Sequence, residues 1–221
     1  MVATLLDFDG VLVDSEPAHL AAFNDVLAPR GIKIEEREYL DHFLSLDDAG
    51  VFRTALFRRG VTLREEEVRG LVAAKSPRFM ARFAAAFRVF PGATDLVVRR
   101  AARGPVGIVS GALESEILFA LEKMGVRGKI SFVVSAERSP ASKPDPAPFL
   151  LALRELLSLS SSGSAVAVED SVGGVRAAKG AGLRCVGVAH SFGQGDLRSA
   201  GADAVVENLA SLTDALLDDV S

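Results

Sequence analysis

Beyond Phe90-Pro91-Gly92 the chain alternates short apolar runs, at residues 106–109, 130–134, 165–168, 185–188 and 204–206, with amphipathic helical patterns. Each run is too short for a buried helix and is followed by a polar or glycine-containing turn, so each reads as a strand. Strands that alternate with helices at this spacing pair in parallel, with the helices covering both faces of the sheet. A sixth run, residues 2–8, is bounded by Asp9-Gly10 and is read as a buried strand that delivers Asp7 and Asp9 to its C-terminal end. The predicted class is therefore α/β with a parallel sheet.

The stretch between these parts has a different period. Ser15 is a plausible N-cap and Pro17 suits a first helical turn, which predicts a helix from Glu16 to Ala28, stopped at Arg30-Gly31. From Glu35 to Arg88 only helical patterns occur, broken by Gly60 and Ser76-Pro77, with apolar steps such as Val51 to Ala55 and Leu71 to Ala74. The expected organisation is a core of residues 1–15 plus 89–221, interrupted by an all-helical insertion of residues 16–88. The serine-rich stretch at 159–164 is read as a mobile surface loop.

At 221 residues the chain is long enough to bury a substantial core, and its formal net charge of -4 argues against nucleic acid or an anionic membrane as the main partner. No run is long and apolar enough to span a bilayer. The single cysteine, Cys185, sits in an apolar run and reads as a buried strand residue without chemistry of its own. Asp7 follows Met1 so closely that no room remains for a signal segment ahead of it, so the cytoplasm is the expected compartment and a monomer the default state.

In an open parallel sheet, ligands bind beyond the carboxyl ends of the strands. The residues found there are Asp7 and Asp9 after the first run, Ser110 after the second, Lys143 in the loop after the third, and Glu169 with Asp170 after the fourth. Acidic side chains gathered at adjacent strand ends repel one another unless a hard cation neutralises them, which implies Mg²⁺. Asp7 and Asp9, two apart on an extended segment, share a face and can meet one substrate. A carboxylate can attack phosphorus while a neighbouring acid protonates the leaving oxygen. Ser110 and Lys143 supply a hydroxyl donor and a positive charge for phosphoryl oxygens. Each residue alone has a plainer reading: Asp9-Gly10 as a turn pair, Lys143 as a loop charge, Ser110 as a helix cap near Leu113, and Glu169-Asp170-Ser171 as the cap of the next helix. Their joint placement favours chemistry.

Asp7-Phe8-Asp9-Gly10-Val11-Leu12-Val13-Asp14-Ser15 resembles the first motif of the haloacid dehalogenase superfamily. Ser110 resembles the second motif, Ser142-Lys143-Pro144-Asp145-Pro146 the third, and Val168-Glu169-Asp170-Ser171 with Gly173-Gly174 the fourth. The resemblance implies a Rossmann-like parallel-sheet core with an inserted helical cap, as in the branch that includes β-phosphoglucomutase, phosphoglycolate phosphatase and sugar phosphatases. It implies Asp7 as nucleophile and Mg²⁺ ligand, and Asp9 as general acid/base that also meets the metal through its backbone carbonyl. Asp170 is implied as a second metal carboxylate assisted by Glu169, with Ser110, Gly111 and Lys143 holding phosphate. His19 and Lys75 resemble cap residues that approach substrate in β-phosphoglucomutase. The chain departs from the mutase pattern at Leu44-Ser45-Leu46-Asp47-Asp48, where two aspartates would repel a distal phosphate. The expectation is an Mg²⁺-dependent phosphatase acting on a small phosphorylated metabolite through an aspartyl-phosphate. A phosphomutase ranks second, and a dehalogenase below it. A phosphate-binding protein without turnover is disfavoured because every chemical position is intact.

Overall fold

A computed structural model describes residues 2–44, 46–159 and 164–220; Ser45 and most of the serine-rich stretch expected to be a loop lie outside the described residues. The chain divides into two compact units, Met1–Asp14 with Arg88–Ser221, and Ser15–Phe87.

The first unit is built on a six-stranded sheet. Its strands are β1 (Ala3–Leu6), β2 (Val106–Val109), β3 (Phe132–Val134), β4 (Ala165–Glu169), β5 (Arg184–Val188) and β6 (Ala204–Val206). They lie in the order β3-β2-β1-β4-β5-β6, and every pairing is parallel. Each strand must return over the sheet before pairing again, and the apolar helices between them make that return. The helices are α5 (Ala93–Ala101), α6 (Glu114–Lys123), α7 (Ala147–Leu159), α8 (Val172–Gly180), α9 (Gln194–Ser199) and α10 (Asp214–Val220). Helix α7 packs on β2 and β3, α8 on β4 and β5, and α9 on β5 and β6. One core cluster joins Leu5, Val109, Phe149, Ala167, Val175 and Cys185 across these layers, and Cys185 is fully buried as expected.

The order reverses at β1, whose neighbours β2 and β4 carry the chain in opposite directions. Such a switch point opens a crevice at the carboxyl ends of the strands. The registers Leu6↔Ile108 and Leu6↔Val168 put Asp7 level with Val109 and Glu169.

Strand boundaries differ from expectation by one residue at the start of β1, the end of β4 and the start of β5, and by two residues at the start of β3 and the end of β1. The run at 130–134 begins pairing only at Phe132, because Arg127–Lys129 forms a 3₁₀ turn just before it. β1 ends at Leu6 rather than Phe8. Asp7 N–H still donates to Val168 O at 3.0 Å, but Leu12 and Val13 N–H both donate to Phe8 O and fold the chain into a turn. The same-face alternation expected for Asp7 and Asp9 therefore does not apply.

In the second unit the described residues form helices and turns without a strand. Its main helices are α1 (Glu16–Leu27), α2 (Glu36–His42), α3 (Asp48–Phe57) and α4 (Glu65–Ala85). They close around Phe23, Leu27, Tyr39, Phe43, Phe52, Leu56 and Leu71. Ser15 stands at the N-cap position of α1 but makes no side-chain capping bond. Pro17 has no N–H to offer, and Ala18 N–H donates to the Ser15 carbonyl at 2.9 Å. Ser76-Pro77 does not break α4. Proline inside a helix costs about 3 kcal/mol. Burying Phe79 and Phe83, both beyond it on the stripe Val68, Leu71, Lys75, Phe79 and Phe83, returns about 3–6 kcal/mol, so the helix continues. Among the described residues, no helix is long and apolar enough to cross a membrane.

Candidate active site

Asp7, just past β1, is 7% exposed, Glu169 at the end of β4 is fully buried, and Asp170 after it is 4% exposed. One carboxylate oxygen from each lies within 4.8 Å of the others. Lys143, from the loop between β3 and α7, reaches this group from the β2 side. Its Nζ donates to Asp7 Oδ1 at 2.6 Å, to Glu169 Oε1 at 2.5 Å and to Val109 O at 2.8 Å. All three ammonium protons are thereby used, and the lysine ties β1, β2 and β4 together at one point. The Lys143–Pro144 peptide is cis.

The electrostatics follow from burial. For Lys143, burial opposes the charge, but the Asp7 and Glu169 carboxylates outweigh it and push the pKa up, so the ammonium is held firmly. Burial raises Glu169, with Lys143 opposing and the Asp7 charge adding to the rise. Asp170 is raised well above the usual carboxylate range, first by burial and then by the charges of Asp7 and Glu169, while Ser191 opposes. One lysine does not balance three carboxylates in so dry a place. A compact all-oxygen donor set with surplus negative charge fits a hard divalent cation, held by Asp7 and Asp170 with Glu169 beside them.

Two glycines allow this crowding. Gly10 has φ +79°, and a Cβ there would lie 1.9 Å from Asp170 Oδ2. A Cβ on Gly174, in the first turn of α8, would lie 1.9 Å from the Glu169 carboxylate. Ser171 caps α8 by accepting from Gly174 N–H at 2.9 Å and donates to Glu169 Oε2 at 3.2 Å. The capping expected at this point thus falls to Ser171, and Glu169 and Asp170 remain with Asp7.

The other expected residues are distributed as follows. Asp9 is partly exposed, in the turn beside Gly10, and its side chain is not one of the three clustered carboxylates. Ser110 is buried; its N–H donates to Val134 O at 2.9 Å and its Oγ accepts from Ala112 N–H at 3.0 Å. It does not cap α6, whose N-cap is Leu113, with Glu116 accepting from Leu113 N–H. Gly111 is exposed, with nothing within 4 Å of a Cβ built on it. His19 and Lys75 meet each other inside the helical unit: Lys75 Nζ lies 2.6 Å from His19 Nδ1 and donates to Asp48 Oδ1 at 2.7 Å. The same ammonium stands over the rings of Phe23 and Phe79. Asp47 caps α3 by accepting from Gly50 N–H at 2.7 Å.

Sequence reasoning missed the segment after β5. Ser191 Oγ donates to Asp170 Oδ2, and His190 Nδ1 lies 2.8 Å from Gly10 O. The strand-end rule that singled out the first four strands would have found both had it been carried to the fifth.

The chain matches the family described as haloacid dehalogenase-like hydrolase over residues 4–188. It is 31% identical to a phosphoglycolate phosphatase of Rhodospirillum rubrum, over 96% of this chain and 89% of that protein. It is also 31% identical to hexitol phosphatase B of Escherichia coli, over 96% of this chain and 95% of that protein. Among solved structures, CbbY from Rhodobacter sphaeroides in complex with phosphate superposes with a TM-score of 0.85 at 28% identity, covering 99% of this chain and all of that one.

Proposed function

The chain belongs to the haloacid dehalogenase-like hydrolase family and is a phosphoester hydrolase, and from that premise we propose that it is an Mg²⁺-dependent phosphatase of small phosphorylated metabolites that works through an aspartyl-phosphate on Asp7. The observation that carries the reading is Lys143, whose part-buried ammonium bridges Asp7 and Glu169 beside Asp170. A structural ion pair needs one carboxylate; a site for a phosphoryl group needs a nucleophile, a fixed cation and further carboxylates able to take a metal.

In the proposed reaction an Asp7 carboxylate oxygen attacks phosphorus and the bond from phosphorus to the ester oxygen breaks. Asp9 gives its proton to the leaving alkoxide. Water then attacks the phosphorus of the aspartyl-phosphate while Asp9 takes the water proton, and the bond to Asp7 breaks to release phosphate. The Ser110 hydroxyl donates to one phosphoryl oxygen, and one of the three Lys143 N–H groups turns from its carboxylate or carbonyl partner to another. A bound divalent cation supplies the positive charge that lets an anionic nucleophile approach an anionic ester.

A sugar monophosphate or phosphoglycolate is the proposed substrate class, in keeping with the names of the two phosphatase relatives. The pairing of Lys75 with Asp48 supports a monophosphate over a bisphosphate, since that ammonium is already neutralised within its own unit. Phosphate release from sugar monophosphates, a sugar bisphosphate, phosphoglycolate and p-nitrophenyl phosphate, with Mg²⁺ and with it chelated, tests the reading. Metal-dependent release from monophosphates supports it; no release from folded protein across the panel removes it.

A further inference from the structure

The segment that follows β5 has no part in the reaction as described, yet it touches the turn that carries Asp9. Ala189 N–H donates to Val206 O and His190 N–H to Val188 O, both at 2.9 Å, so the backbone here is fixed to the sheet. From this anchored position His190 Nδ1 stands 2.8 Å from the carbonyl oxygen of Gly10. A carbonyl can only accept, so Nδ1 carries the hydrogen and donates. The ring is held on its other side by Phe90, stacked at 4.0 Å between centroids and 18° between planes. Phe90 is itself bound to the same turn, its N–H donating to Leu12 O at 3.0 Å.

The contact bears on catalysis because of where Gly10 lies. It follows Asp9 directly, and its φ of +79° is a conformation that few residues adopt unaided. The peptide between Asp9 and Gly10 is held through its own N–H, which donates to Val13 O at 2.9 Å, and the His190 bond fixes the next carbonyl, at the far side of Gly10. Asp9 is partly exposed, and past the end of β1 its backbone makes an isolated bridge to Val13 rather than a continuation of the sheet ladder. A proton donor must lie within hydrogen-bond reach of the leaving oxygen, and a displacement of about 1 Å can cost about a hundredfold.

We propose that His190 is a positioning residue for Asp9: its Nδ1–H holds the Gly10 carbonyl, and the stacked Phe90 ring holds the imidazole, so that the Asp9 carboxyl is aimed at the leaving oxygen. The inference rests on the acid/base reading of Asp9. No titration of His190 is involved, only its hydrogen-bond donor and its plane. The device joins residues 180 positions apart in the chain.

The test compares kcat/KM for an alkyl phosphate, whose leaving alkoxide needs a proton, with that for p-nitrophenyl phosphate, whose leaving group needs little. Asp9→Asn is the reference: a loss larger on the alkyl ester establishes Asp9 as the acid, and equal losses remove that reading independently of His190. With that established, His190→Phe, which keeps the stack and loses the donor, is expected to lower kcat/KM on the alkyl ester by about 10–100-fold and on the nitrophenyl ester by a few-fold at most. His190→Asn, whose amide N–H stands near the place of Nδ1–H, is expected to recover most of the alkyl-ester rate. Equal losses on both esters with His190→Phe, or no recovery with His190→Asn in a folded protein, overturn the proposal. If His190→Phe fails to fold, His190→Leu carries the same comparison.

Discussion

Asp7 is held by Lys143 and sits at the switch point of the sheet, and its proposed role as nucleophile needs a carboxylate oxygen that an amide does not offer. Asp7→Asn keeps the shape and the hydrogen-bonding capacity, so it should abolish phosphate release while leaving the thermal transition in place; a melt and a colorimetric phosphate assay check both. Asp9→Asn should lower kcat by about 10²–10⁴-fold, the usual contribution of a general acid/base, with the slope of rate against leaving-group basicity as its signature. Gly10→Ala tests packing rather than chemistry: its φ is +79° and the new Cβ would lie 1.9 Å from Asp170 Oδ2. It should cost about 1–3 kcal/mol in a denaturant titration and weaken metal binding as Asp170 is displaced. Asp7, Lys143, Glu169 and Asp170 could be singled out from sequence because each follows an apolar run. His190 and Ser191 could not be assigned a partner, since what they touch lies about 180 and 21 positions away and depends on the turn at Gly10.

In the helical unit the element that matters most is α4. Its stripe carries a lysine among phenylalanines, and that lysine is the structural counterpart of Asp48 on α3 and His19 on α1. The two ends of the ion pair are unequal: the Lys75 side chain is 3% exposed and that of Asp48 34%. Removing the partner of a buried charge costs several kcal/mol, whereas removing the buried charge itself leaves an aspartate that water can reach. Asp48→Asn should therefore destabilise by about 2–4 kcal/mol and Lys75→Met by about 1 kcal/mol or less, as read by chemical denaturation. The His19 pKa lies well below 6.5, first because of burial and then because of the Lys75 charge. The folded state thus binds fewer protons than the unfolded one below pH 6.5, so stability is full above that value and falls as the pH drops toward the folded-state pKa. His19→Gln, which cannot charge, should flatten the dependence of melting temperature on pH in that window. The periodicity of α4 was legible, but its continuity through Pro77 was not, because propensity marks a break there and only the burial of Phe79 and Phe83 overrides it.

At the scale of the whole molecule, the alternation of apolar runs with helical patterns was enough to place a parallel sheet, since strands separated by a helix have no other economical way to pair. The order of the strands was not legible in the same way: it depends on which edge each returning strand joins, and the sequence alone shows no register. That order gathers side chains from residues 7, 143, 169 and 170 at one point. Such a concentration of buried negative charge predicts that Mg²⁺ stabilises the fold, by about 2.7 kcal/mol at a hundredfold excess over its Kd, and that Asp170→Asn loses most of this gain in a thermal shift measurement. The proposed aspartyl-phosphate is covalent and can be trapped by acid-quenching the enzyme during turnover of a phosphate ester with Mg²⁺ present and mapping the modified peptide by mass spectrometry. One phosphoryl group is expected on the peptide containing Asp7, and none on that of Asp7→Asn. Turnover by Asp7→Asn, or a phosphoryl group on any other residue, would contradict the proposal.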